Sequence, residues 1–289
     1  MNVFKAKSTR FFLAVAAVLT VPILASGQQM ESHIGKLTGH SDAGKELYFR
    51  YCWGCHGFRG DGNGENATYV NPTPRNFIGA SFKCRSTVTG TLPTDEDLYN
   101  SIGRGFNTTS MPSWAALTRQ NRADLVAFIK TFSPRWKAEG PGVPIAIPAE
   151  PKLTVDSIKH GQELFQKLEC WKCHGQEGFG DGPSASTLTD SNDQPIRPYN
   201  FSAGSRFKCG TSNQDLYKIF MTGVDGTPMP SFADVIKPDE AWDLVHFLRT
   251  LQLTLKTPEL ALWESTKDGA QQIASRKAHG TPTGSGHNQ

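Results

Sequence analysis

The sequence has little excess charge of either sign and only one long apolar run. Across 289 residues, 30 lysines and arginines stand against 27 acidic residues, a formal charge of +3. That balance excludes a strongly basic, nucleic-acid-binding surface. Outside Phe11 to Leu24 no stretch is apolar enough to cross a bilayer, which excludes a multi-span membrane protein. Strand patterning is also missing, since no segment alternates apolar and polar residues convincingly. The 28 glycines and 18 prolines suit a loop-rich globular chain and stay below the level of a low-complexity one.

The small basic excess is confined to one end. Residues 1–27 hold Lys5, Lys7 and Arg10 and no acidic residue, followed by the apolar run and the small residues Ala25-Ser26-Gly27. A basic start, a short apolar centre and a small-residue exit form a secretory signal, which predicts a periplasmic or other extracytoplasmic location. A buried N-terminal helix and an uncleaved membrane anchor are the alternatives, and membrane association would run through that segment alone. Without residues 1–27 the chain carries 27 basic and 27 acidic residues, so its charge points to no partner.

Six cysteines remain to be explained, and four lie in two identical patterns: Cys52-Trp53-Gly54-Cys55-His56 and Cys170-Trp171-Lys172-Cys173-His174. C-x-x-C-H is the attachment motif of c-type haem. Two thiols one helical turn apart can each bond a vinyl carbon of one porphyrin, and the next residue's imidazole rises beneath the iron. Zinc would want the two cysteine pairs close together, yet 118 residues separate them. A thioredoxin-like site would want a βαβ pattern, which is missing. The motifs therefore predict two covalently bound haem c groups, held by Cys52, Cys55, Cys170 and Cys173, with His56 and His174 on the iron.

The surroundings of the motifs repeat as well. Gly44-Lys45-Glu46-Leu47-Tyr48 corresponds to Gly161-Gln162-Glu163-Leu164-Phe165, and Gly60-Asp61-Gly62 to Gly180-Asp181-Gly182. Pro74-Arg75-Asn76-Phe77 matches Pro198-Tyr199-Asn200-Phe201, and Phe82-Lys83-Cys84 matches Phe207-Lys208-Cys209. Met111-Pro112-Ser113 recurs as Met229-Pro230-Ser231. A period near 118 residues is far too long for a solenoid and means two whole domains. They are expected at 41–133 and 154–253, after an N-terminal extension at 28–40. A Pro-rich spacer at 134–153 joins them, and a polar tail at 254–289 ends the chain, disordered from Gly280.

Helical periodicity makes each repeat all-α. A helix is predicted from Ser41 through Cys55, and another capped by Thr94 with Asp97 at its third position. A third follows Thr118, with Leu125, Phe128, Ile129 and Phe132 on one face. In the second repeat Ser212 pairs with Asp215, and Pro238 opens a helix whose core face is Leu244, Phe247, Leu248 and Leu251.

The far side of a haem iron decides its use. Met111 and Met229 each lie 59 residues after the first cysteine of their motif and each precedes a proline. A Met-Pro loop can aim a thioether at iron without helical constraint, so Met111 and Met229 are the expected sixth ligands, with Met221 as an alternative in the second repeat. Met/His ligation raises the potential and suits electron transfer.

On these residues each repeat resembles a class I cytochrome c domain, and the chain apart from its tail resembles the exported dihaem cytochromes c. The resemblance implies an all-α tandem duplication in which Gly44 and Tyr48 cross Phe128, and Gly161 and Phe165 cross Phe247. It also implies a proline carbonyl, at Pro74 and Pro198, accepting a bond from the second nitrogen of the haem histidine. Arg75 and Arg197 are candidates to pair with haem propionates, or else solvated surface arginines. The stretch from Pro72 to Trp114 further resembles cytochromes that act beside exported oxidoreductases, including molybdenum enzymes.

Cys84 and Cys209, at equivalent positions, leave three readings open: a disulfide between domains facing each other about a pseudo-twofold axis, two buried thiols, or a thiolate ligand to iron. The function expected is a dihaem carrier of single electrons between redox protein partners, or the electron-transfer subunit of an oxidoreductase. Trp53 and Trp171 would shield the porphyrins or simply pack. A peroxidase or thiosulfate-dehydrogenase type of haem enzyme is the alternative and would need an open or thiolate-ligated iron. A haem-based sensor would need the same vacancy.

Overall fold

The computed structural model describes residues 29–107, 109–203 and 207–279. The expected signal at 1–27 and the expected disorder from Gly280 lie outside them. The first repeat runs β1 (Glu31–Ile34), β2 (Leu37–His40), α1 (Ser41–Tyr51), α2 (Trp53–His56), α3 (Asp95–Arg104) and α4 (Arg119–Lys130). A short α5 (Arg135–Ala138) follows. The second repeat runs α6 (Val155–Lys167), α7 (Trp171–His174), α8 (Asn213–Thr222) and α9 (Pro238–Thr250), then α10 (Pro258–Glu264) and α11 (Lys267–His279). The chain is thus mostly helical, a tandem pair with one small sheet.

The helix starts follow from local chemistry. Thr94 accepts from the Asp97 amide while Asp97 accepts from the Thr94 amide, and Ser212 with Asp215 repeats the arrangement. Each box satisfies backbone donors that the first helical turn leaves without partners. Thr118 accepts from the Asn121 amide to open α4. Pro238 begins α9, where its missing N–H costs nothing.

Each repeat closes around one helix crossing. α1 meets α4 at Gly44, whose Cα lies against the Asp124 carbonyl and the Phe128 side chain. α6 meets α9 at Gly161, against the Asp243 carbonyl and Phe247. One turn later Tyr48, fully buried, packs on Phe128 at 5.2 Å and Phe132 at 5.0 Å, and its hydroxyl donates to the Gly57 carbonyl. Phe165 packs on Phe247 at 5.5 Å. The expected helix through Cys55 is broken at Cys52, which leaves the attachment motif on a separate turn.

Three segments differ from their expected form. Residues 28–40 include an antiparallel hairpin, β1 with β2, pinned to α4 by Ser32 Oγ donating to the Ala123 carbonyl at 2.7 Å. Lys130 Nζ reaches both the Glu31 carbonyl and Asp95, the latter at 2.6 Å. The Pro-rich spacer touches both domains. Trp136 is buried, Ile145 donates its amide to the Ser86 carbonyl, and Glu150 accepts from Asn213 Nδ2. The stretch expected as a polar tail contains α10 and α11, which close over the second core through Trp263 and Ile273. There Arg276 donates to the carbonyls of Thr250, Leu251 and Glu177, capping the end of α9.

The domains are joined by a disulfide between Cys84 and Cys209, with their Cα atoms 5.2 Å apart. This excludes both free thiols and a thiolate ligand at these positions. Beside it Arg85, its side chain fully buried, donates to the Thr222 carbonyl at 2.7 and 2.9 Å and pairs with Asp225 at 2.6 Å. Thr89 Oγ1 donates to the same carbonyl. These contacts come from a loop seven residues longer between Cys84 and Thr94 than its counterpart between Cys209 and Ser212. The second repeat has its own insertion around the Thr189–Pro195 bridge, where Asp190 faces Arg75 of the first domain.

Candidate haem sites

Each attachment motif sits where α1 or α6 has ended, so its side chains point into a cavity below the helix crossing. Cys52, Cys55, His56 and Met111 line one cavity, and Cys170, Cys173, His174 and Met229 line the other. Burial, and then the neighbouring cysteine, pushes the Cys52 thiol up to about 12. Burial likewise raises Cys170 to about 11. Both are neutral sulfurs in apolar surroundings, suited to thioether bonds rather than to thiolate chemistry. No group of three or more His, Cys, Asp or Glu side chains comes together as a metal site among the described residues.

The histidines are held for one task. His56 Nδ1 donates to a backbone carbonyl at 3.0 Å and its ring stacks on Phe77 at 4.5 Å. His174 does the same at 3.0 Å, stacked on Phe201 at 4.8 Å. With Nδ1 occupied, only Nε2 is free for a metal. Burial lowers both imidazole pKa values against the opposing effect of those carbonyl bonds, which keeps the rings neutral, the form that ligates. The acceptors, however, are the carbonyls of Arg75 and Tyr199, not those of Pro74 and Pro198. The proline carbonyls face Gly62 and Gly180 instead. Successive carbonyls along this loop point opposite ways, so the next one turns to the imidazole. Both prolines still line their cavities.

The methionine loops are twins. Gly105 and Gly223, both at φ +67°, turn the chain out of α3 and α8 where a side chain would strike the Met-Pro-Ser backbone. The carbonyl of Met111 accepts from the Phe106 amide and that of Met229 from the Val224 amide, each at 3.1 Å. Ser113 Oγ donates to the Gly103 carbonyl, and Ser231 Oγ to the Met221 carbonyl. Met221 thus takes the place of Gly103; it packs on the core and does not line the cavity. Trp53 and Trp171 also pack on their cores without lining either cavity.

Whether haem suits these cavities can be judged from their charge. Arg75, Lys83 and Lys208 gather where the cavities meet. Lys208 is pushed down to about 7 by burial, and then by Lys83 and Arg75. Lys83 is lowered by burial and by Arg75, with Asp190 opposing. Burial lowers Arg75 too, against Asp190 and Asp225. Asp225 is already paired with Arg85. A half-buried cluster with cations in excess beside an apolar cavity suits a flat apolar group bearing carboxylates, as haem does. Arg75 is part of this cluster, whereas Arg197 is exposed while lining the second cavity. Lys83 and Lys208 were visible in the repeated Phe-Lys-Cys triplets, yet only domain docking gives them this role.

The cytochrome c family model matches residues 41–133 and again 158–252. A solved chain of the Kuenenia stuttgartiensis reducing HAO-like protein complex is 42% identical, with a TM-score of 0.71. The match covers 73% of this chain and 96% of that one. No curated protein matches. Two attachment motifs, two matched cavities and two family matches lead to one conclusion: this chain belongs to the cytochrome c family, as a tandem pair of its domains performing haem-based electron transfer.

Proposed function

We propose that this protein carries two haem c groups, one per domain, and relays single electrons between exported redox proteins as the electron-transfer subunit of an oxidoreductase. The observation that carries the reading is the convergence, in each cavity, of a carbonyl-anchored histidine, two half-buried cysteines and a Met-Pro loop. In this reading His56 and Met111 would hold the iron in the first domain, and His174 and Met229 in the second. The bound haem supplies a one-electron couple. The chain's part is to fix both axial side chains, exclude water with the aromatic walls at Phe77 and Phe201, and hold the two cavities side by side.

Cytochrome c domains are typically extracytoplasmic, and no helix among the described residues is long and apolar enough to cross a membrane. Export through the N-terminal segment accords with both. The similar chain comes from a reducing HAO-like protein complex, which supports a subunit role in a redox complex. Visible and low-temperature EPR spectra of protein matured with haem test the reading. Two low-spin haems with a methionine–iron charge-transfer band and no CO binding are expected. A high-spin haem, or CO binding without denaturation, would overturn it.

A further inference from the structure

The cation cluster crosses the domain boundary in a way that neither domain needs by itself. Lys83 belongs to the first domain and Lys208 to the second, yet each lysine lines both cavities. Their neighbours Cys84 and Cys209 are bonded to each other, so the two side chains leave the backbone from adjacent anchored points. Cys84 itself lines the first cavity and Cys209 the second. Among the described residues neither ammonium has a carboxylate within 4.0 Å.

We propose that Lys83 and Lys208 form one cationic bridge shared by the two cavities, each compensating haem carboxylates of both domains, so that each haem's potential depends on both lysines. A buried ammonium is stable only when an anion or its own deprotonation relieves it. Burial, and then Lys83 and Arg75, push Lys208 down in the chain alone, and haem carboxylates between the cavities would relieve both lysines. The other charged groups of the cluster are Arg75, Asp190 and Asp225, with Arg85 held by Asp225. Reduction places one more electron on a haem, so a nearby positive charge favours the reduced form. Removing that charge at about 10 Å, in a medium of effective dielectric near 20, weakens the reduction equilibrium by roughly tenfold.

The inference rests on haem in both cavities and not on any partner protein. A haem count of two per chain therefore comes first and separates the two failures. The haems are then distinguished by lowering one of them: in a Met229→His background the higher-potential wave belongs to the first domain, and in Met111→His to the second. Lys208→Met is read at the first-domain haem and Lys83→Met at the second-domain haem by spectroelectrochemical titration at fixed pH. Each wave is expected to fall by roughly tenfold in equilibrium constant, about 59 mV for one electron. Lys208→Arg and Lys83→Arg should restore most of the shift. The glutamine replacements, also neutral, provide the same reading if a methionine replacement fails to mature. A change confined to the haem of the lysine's own domain, with the other wave unmoved, would overturn the bridge.

Discussion

Gly44→Ala should destabilise the first domain although helix propensity favours alanine. In an exposed helix interior the exchange is worth about 1 kcal/mol of stability in alanine's favour. Here a Cβ at position 44 would overlap the Asp124 carbonyl and sit 2.8 Å from the Phe128 Cβ. Neither neighbour is the far end of a flexible side chain, so α1 and α4 must part. Forcing a methyl group into packed space costs about 1–3 kcal/mol, and the backbone obstacle places this case at the upper end. The net loss is then about 2 kcal/mol, which lowers the melting temperature of a domain this size by roughly 10 °C. Scanning calorimetry of the haem-loaded protein measures it. Gly161→Ala is the internal twin, because its Cβ would meet the Asp243 carbonyl and Phe247 in the same way. A neutral or stabilising result at both glycines would refute the crossing as the point where each domain closes.

Two further outcomes can be measured by denaturant unfolding. Replacing Cys84 and Cys209 together with serine opens a loop spanning 125 residues and should lower stability by about 5 kcal/mol on the chain-entropy model; an unchanged midpoint would refute that constraint. Asp95→Ala leaves Lys130 buried without its partner at 2.6 Å and should cost about 3–5 kcal/mol, while adding Lys130→Met should recover much of that loss.

The features legible in the sequence were those written in local chemistry. Thr94 with Asp97 and Ser212 with Asp215 cap as their spacing requires, and Gly44 and Gly161 sit at the crossings. Local chemistry misleads where one residue of register matters. The Gly60-Asp61-Gly62 and Gly180-Asp181-Gly182 strings look equivalent, but Gly62 and Gly180 are the true counterparts. Their amides bond the carbonyls of His56 and His174. Asp61 precedes its glycine and Asp181 follows its own, yet both lay their carboxylates against the glycine after the haem histidine, Gly57 or Gly175. The acceptor carbonyls fell one residue beyond the prolines for a comparable reason. α10 and α11 were hidden because their apolar residues, the short run Leu260 to Trp263 and the lone Ile273, are few and set in a polar stretch. What they cover exists only after the second core has formed. The same holds for Lys83 and Lys208, whose shared surroundings are created by docking.

The two loop insertions give the duplication a history. From His to carbonyl the second repeat is longer by six residues, and from cysteine to helix cap the first is longer by seven. Their lengths nearly cancel, so both methionines return to the same distance from their cysteines. Each insertion also contributes to the boundary, one through Arg85 and Thr89, the other through Asp190 opposite Arg75. Both copies share the cofactor-holding frame, while these two differences in length fall at the seam between them. The present halves are no longer interchangeable, and that asymmetry gives the molecule two distinct ends.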